Sequence, residues 1–128
     1  KACNYSIKYL KNNYKKFDYA YIHIKETDLP GHDNKPLEKK EMIEYIDGTL
    51  FNFLREFAPS REINVVVTAD HSTPCKFKNH TADPVPVLFY NSRNSIPKEK
   101  RFNEREAGMG SLGRMNGDEF LKKVGFVK

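Results

Sequence analysis

The run INVVV (Ile63–Val67) is the segment that most narrows the folds open to this chain. Valine and isoleucine are stiff at χ1 and fit strands better than helices. A run without polar alternation reads as a strand covered on both faces. It ends at Thr68–Ala69, and Asp70 and His71 follow directly. Neighbours inside a strand point to opposite faces. These two can therefore serve one site only because the chain has already left the strand.

The flanking segments supply the rest of a layered fold. FDYAYIHIK (Phe17–Lys25) is rich in aromatic and β-branched residues and is expected to be a strand. VPVLFY (Val85–Tyr90) is a third. Ala2–Tyr14, with Ile7, Leu10 and Tyr14, reads as a helix. Leu37–Phe57 has apolar residues at Met42, Ile43, Ile46, Leu50, Phe53, Leu54 and Phe57, which is helical spacing. Pro36 suits its first turn, and Gly48 weakens it slightly. EREAGMGSLGRMNG (Glu104–Gly117) holds four glycines and reads as a loop, after which Asp118 caps a short final helix.

This order predicts an α/β fold with a mixed, mostly parallel sheet flanked by helices. The 37–57 helix would join 17–25 to 63–67 in parallel. STPCKFKNHTADP (Ser72–Pro84) has two prolines and no helical pattern. A parallel return needs a crossover, usually a helix, so 85–90 should run antiparallel to 63–67.

Composition excludes several classes. The 128 residues suit one domain, and nothing approaches the ~20 apolar residues of a membrane span. The opening KACNYSIKYL lacks a signal-peptide pattern. Cys3 and Cys75 are too few for a disulfide framework and read as reduced thiols of a cytoplasmic protein. The formal net charge is +5. Its carriers are scattered over Lys11, Lys15, Lys16, Lys39, Lys40, Lys98, Lys100, Arg101, Lys122 and Lys123. Without a basic-aromatic motif, a small anionic substrate is favoured over nucleic acid.

The candidate ligands converge. Asp28 and His32 follow the first strand, and Asp70 and His71 follow the second. If those strands are parallel, both pairs lie at the carboxyl edge where open α/β sheets bind ligands. Asp28 and His32 share a face if their loop makes one helical turn, although Pro30 and Gly31 allow a tight non-helical turn instead. His80 precedes the antiparallel strand and returns to the same edge. Five mixed imidazole and carboxylate ligands exceed one four-coordinate zinc and suit two divalent ions, with Zn²⁺, Mn²⁺ or Co²⁺ all allowed and Mg²⁺ possible. Such pairs clamp the attacking and leaving oxygens of phosphoryl transfer. His23, inside its strand, reads as a core or supporting histidine.

These residues also carry a resemblance. HIKETDLPGHD (His23–Asp33), TADHSTPCKFKNHTADPVPVL (Thr68–Leu88) and FNEREAGMGSLGRMNG (Phe102–Gly117) resemble the archaeal-type 2,3-bisphosphoglycerate-independent phosphoglycerate mutases, of the alkaline phosphatase superfamily. The resemblance implies that Asp28, His32 and His80 hold one ion and that Asp70 and His71 contribute to the other. It implies interconversion of 3-phosphoglycerate and 2-phosphoglycerate through a phosphoserine. The family's remaining ligands are an early aspartate and the nucleophilic serine. None of Ser6, Ser60, Ser72, Ser92, Ser95 and Ser111 stands in the family's nucleophile context, so residues 1–128 read as the carboxy-terminal part of a longer two-metal domain. The remainder of that chain is then an obligatory partner. Lys25 and Arg114 are candidate contacts to the substrate's anionic groups, with Lys76 and Lys78 as weaker ones.

Three alternatives stay open. Another two-metal phosphatase or phosphodiesterase would share the ligand pattern. His32–Asp33 could suggest an HD-type phosphohydrolase, but that class needs the pair on helices of an all-α bundle. A non-catalytic metal-binding module would need no nucleophile.

Overall fold

Three buried side chains, Cys3, Ile46 and Leu50, form the centre of the core. Ile7, Ile22, Ile24, Met42, Phe51, Phe53 and Leu54 pack around them. They come from helix α1 (Ala2–Asn13), an extended segment before residue 25, and a long helical rod. The computed structural model describes residues 2–94 and 101–127. Ser95, Lys98 and Lys100 lie outside those residues.

The rod comprises α3 (Pro36–Ile46), a π turn (Asp47–Phe51) and α4 (Asn52–Ser60). Pro36 occupies the first turn, as expected. Gly48 falls inside the π turn, where no atom would approach an added Cβ within 4 Å. Ile46 and Leu50, four residues apart, share the face that meets the core. Asp47 and Arg55 pair across it at 3.0 Å on the surface, a contact of little energetic weight.

The sheet differs from expectation. Among the described residues it has two strands, β1 (Val65–Val67) and β2 (Leu88–Tyr90), paired antiparallel with Val66 opposite Phe89. The antiparallel return is as the prolines indicated, but no parallel pair accompanies it. Phe17–Ile24 forms no ladder there; it is extended, and Lys25 begins a 3₁₀ turn (Lys25–Thr27). Side-chain alternation holds it: Ile22 and Ile24 pack on the core while Tyr21, 85% exposed, and His23 face outward. Val65–Val67 are only half-buried, not covered on both faces. Asn64 also interrupts their run, accepting from the Ser92 backbone N–H and hydroxyl.

Two expectations toward the carboxyl end are corrected as well. The 104–117 loop contains a short helix, α5 (Glu104–Gly108), capped by Asn103, whose side chain accepts from the Glu106 N–H at 2.9 Å. That Asn-x-x-Glu spacing is a helix-start signal outweighed by the glycines. The last helix, α6 (Gly117–Lys123), has Asn116 at its N-cap. Asp118 sits in the first turn, where its charge favours the helix amino end.

The rod yields a paired prediction. Leu50 is 4% exposed, so Leu50→Ala should lower unfolding free energy by about 2–5 kcal/mol. Gly48→Ala should leave it unchanged or raise it by up to ~1 kcal/mol. Denaturant titration decides, and a Gly48→Ala loss as large as that of Leu50→Ala would contradict the packing.

Candidate metal centre

The loop after Thr27 makes the single helical turn that puts Asp28 and His32 on one face. Helix α2 (Leu29–His32) begins directly after Asp28, with Pro30 in its first turn. The His32 N–H donates to the Asp28 carbonyl at 3.2 Å. Nε2 of His32 then stands 3.5 Å from Oδ1 of Asp28.

The β1–β2 hairpin brings the other donors. An antiparallel bridge joins Ser72 to Thr81 near its tip. The chain between them turns at Pro74, whose carbonyl accepts from the Phe77 and Lys78 N–H groups. Lys78 has a φ of 54°, uncommon for a residue with a side chain. Its carbonyl oxygen lies 3.1 Å from His32 Nδ1. A carbonyl only accepts, so His32 carries its proton on Nδ1 and presents a bare Nε2.

Nε2 of His32 lies 3.2 Å from Nε2 of His80, and that atom lies 3.9 Å from Asp28 Oδ1. The point equidistant from these three atoms is about 2.1 Å from each, by the geometry of the three separations. Metal–imidazole and metal–carboxylate bonds to zinc have that length, roughly 2.0–2.2 Å. Two imidazoles and a carboxylate thus fit one divalent ion. His71 adjoins them: single donor atoms of Asp28, His71 and His80 all lie within 4.8 Å of one another. Its ring stacks on that of His80 with centroids 3.6 Å apart.

Asp70 faces a different set of groups. One carboxylate oxygen accepts from the His71 backbone N–H at 3.1 Å. The other lies 3.5 Å from His71 Nε2 and 3.6 Å from His23 Nε2. His23 thus touches a candidate ligand instead of filling the core. Lys25 sits at the start of the turn into Asp28, and its carbonyl accepts from the Asp28 N–H. Arg114 lines an open hollow of about 500 Å³ with Leu112, Met115, Glu119, Lys122 and Lys123. None of these is a donor of the cluster. Ser72 donates its hydroxyl to the Asp83 carbonyl at 3.3 Å.

Three residues were not singled out from sequence. Thr73 donates its hydroxyl to Asp28 Oδ1 at 2.7 Å and lies 3.0 Å from His71 Nδ1. Lys39 Nζ donates to the Thr73 carbonyl at 2.8 Å. Gly31 is buried against that carbonyl, where a Cβ would come within 2.6 Å of the oxygen. The available signal was position: Thr73 stands two residues after His71.

This fold and donor set belong to a metal-dependent class. The chain is a member of the Metalloenzyme superfamily, whose family model matches residues 2–126. It is 41% identical over 107 residues to the 2,3-bisphosphoglycerate-independent phosphoglycerate mutase of Pyrococcus horikoshii, covering 84% of this chain and 26% of that protein. To the mutase of that name from Picrophilus torridus it is 35% identical over 108 residues, 84% of this chain and 26% of the other. The solved structure of the PH0037 protein from Pyrococcus horikoshii superposes with a TM-score of 0.80 at 35% identity, covering 99% of this chain and 38% of that one. The chain thus spans about a quarter of the length of these curated relatives.

The Asp28 carboxyl is held below its ordinary value of 3.8. The Thr73 hydroxyl is the main cause; partial burial opposes it, and His32, His71 and His80 add smaller attractions. A carboxyl depressed by folding contributes stability that is fully present above its unfolded value and is lost as pH falls through the folded one. With chelator present, stability should therefore fall below about pH 4, and Asp28→Asn should flatten that fall. Matching acid-unfolding profiles by circular dichroism would contradict this.

Proposed function

We propose that these residues are the metal-holding part of a phosphoglycerate mutase that interconverts 3-phosphoglycerate and 2-phosphoglycerate without bisphosphoglycerate. The observation that carries this reading is the donor triangle of Asp28, His32 and His80, in a chain 35–41% identical to mutases of that name. Asp28, His32 and His80 hold one divalent ion, and Asp70 and His71 contribute to a second, with Mn²⁺ preferred. When bound, such ions stabilise charge on a transferring phosphoryl group. The nucleophilic serine and the second ion's remaining ligands come from outside these residues.

The chain's own groups act around that transfer. The serine Oγ gives up its proton and attacks phosphorus as the bond to one glycerate oxygen breaks, and that oxygen takes up a proton; the other glycerate hydroxyl then loses its proton and takes the phosphoryl group, and serine regains its proton. His32 is kept ready to ligate by the Lys78 carbonyl, and His23 steadies Asp70. Lys25 and Arg114 meet the substrate's carboxylate or phosphate as fixed cations. Ser72 is not the nucleophile; its hydroxyl is directed at a backbone carbonyl. The reaction serves glycolysis and gluconeogenesis in the cytoplasm, and no helix among the described residues is long and apolar enough to cross a membrane.

The test is conversion of 3-phosphoglycerate by the whole protein, coupled to enolase, with Mn²⁺ present and bisphosphoglycerate absent. Turnover is expected, and none from residues 1–128 alone. Asp70→Ala and His71→Ala should each lower it by more than about 100-fold, the upper end for losing merely supporting contacts to a metal ligand. His80→Ala should lose most Mn²⁺ affinity. A whole protein that hydrolyses simple phosphate esters but does not isomerise phosphoglycerate would replace this reading with a phosphatase.

A further inference from the structure

Thr73 is 5% exposed, the one buried polar residue among those described. Burying a hydroxyl is unfavourable unless it is hydrogen-bonded, and this one has two partners. Oγ1 lies 2.7 Å from Asp28 Oδ1 and 3.0 Å from His71 Nδ1. A hydroxyl has one proton to give. A carboxylate can only accept, so that proton goes to Asp28. The Thr73 oxygen must then accept from His71, which requires the proton of His71 to be on Nδ1. A neutral imidazole so held presents its lone pair at Nε2, the atom that faces Asp70.

We propose that Thr73 is a positioning residue that links the two metal half-sites through one relay, His71 Nδ1–H to Thr73 Oγ1–H to Asp28 Oδ1. This rests on the metal-centre reading above and deepens it. Asp28 Oδ1 is also the oxygen of the donor triangle with His32 and His80. One hydroxyl therefore orients a ligand of the first ion and fixes the tautomer of a ligand of the second.

The surroundings hold Thr73 in place for this task. Its carbonyl is gripped by Lys39 Nζ at 2.8 Å. An added Cβ on Gly31 would meet that carbonyl at 2.6 Å and the Thr73 methyl carbon at 3.0 Å, so α2 lies flush against it. The following Pro74 narrows the Thr73 backbone toward extended conformations. Valine has nearly the shape of threonine without the hydroxyl, and serine keeps the hydroxyl without the methyl. The two substitutions separate the relay from simple space filling.

The experiment uses the whole protein with ¹⁵N-labelled histidine, as wild type, Thr73→Val and Thr73→Ser. Ring-nitrogen shifts of the chelator-treated protein report the tautomer of His71, and titrations with Mn²⁺ and with Zn²⁺ report affinity. Wild type and Thr73→Ser should hold the Nδ1–H form and bind metal alike. Thr73→Val should lose the fixed tautomer and bind both metals about 10–100-fold more weakly. A Thr73→Val protein that keeps tautomer and affinity overturns the proposal, as does a Thr73→Ser protein that loses as much as Thr73→Val. If wild type binds neither metal but shows a Thr73-dependent tautomer, the relay stands and the metal-centre reading falls.

Discussion

The docking of α2 onto the turn at Thr73 is the contact on which the site depends. It joins groups 45 residues apart, through the Thr73 hydroxyl on Asp28 and the Cys75 thiol near the Pro30 carbonyl. Gly31 permits the approach because it has no Cβ, and Lys39 reaches across from α3 to the Thr73 carbonyl. Without this contact Asp28 and His32 would sit on one surface turn and His71 and His80 on another. The core of Cys3, Ile46 and Leu50 supports it at a distance, by fixing the rod from which Lys39 extends.

Charge and hydrogen bonding reinforce that geometry. His32 and His80 bring two ring nitrogens within 3.2 Å. With the His32 proton on Nδ1, its Nε2 accepts from the His80 Nε2–H, and a divalent ion would take the place of that proton. The Asp28 carboxylate beside them supplies negative charge, and the hydrogen bond from Thr73 favours its charged form. The cluster thus offers two imidazoles and a carboxylate within reach of one point. The Lys78 carbonyl, the Thr73 hydroxyl and the His71 N–H each take up a hydrogen-bonding position of the candidate ligands.

Much of this was legible in the sequence, and the failures have physical causes. Helical periodicity marked α1 and the rod, because burial repeats every three to four residues there. The prolines between Ser72 and Pro84 indicated the antiparallel return. The candidate ligand segments stood out because Asp28/His32 and Asp70/His71 come two to three residues after apolar segments. The parallel pairing of 17–25 with 63–67 was not found among the described residues. Composition marks a segment as extended but does not name the neighbour that pairs with it, and the chain spans about a quarter of its curated relatives. Thr73 is neither an imidazole nor a carboxylate, so its residue type alone carries no ligand signal. Only the fold shows its hydroxyl facing Asp28.

In the proposed site Asp28, His32 and His80 surround one ion. X-ray absorption by the protein loaded with one equivalent of Zn²⁺ tests it most directly, because imidazole rings scatter differently from lone oxygens. A nitrogen- and oxygen-only shell at about 2.0–2.1 Å is expected, with two imidazoles, of which one is lost in His80→Ala. A shell of oxygens alone, or one unchanged by His80→Ala, would contradict it.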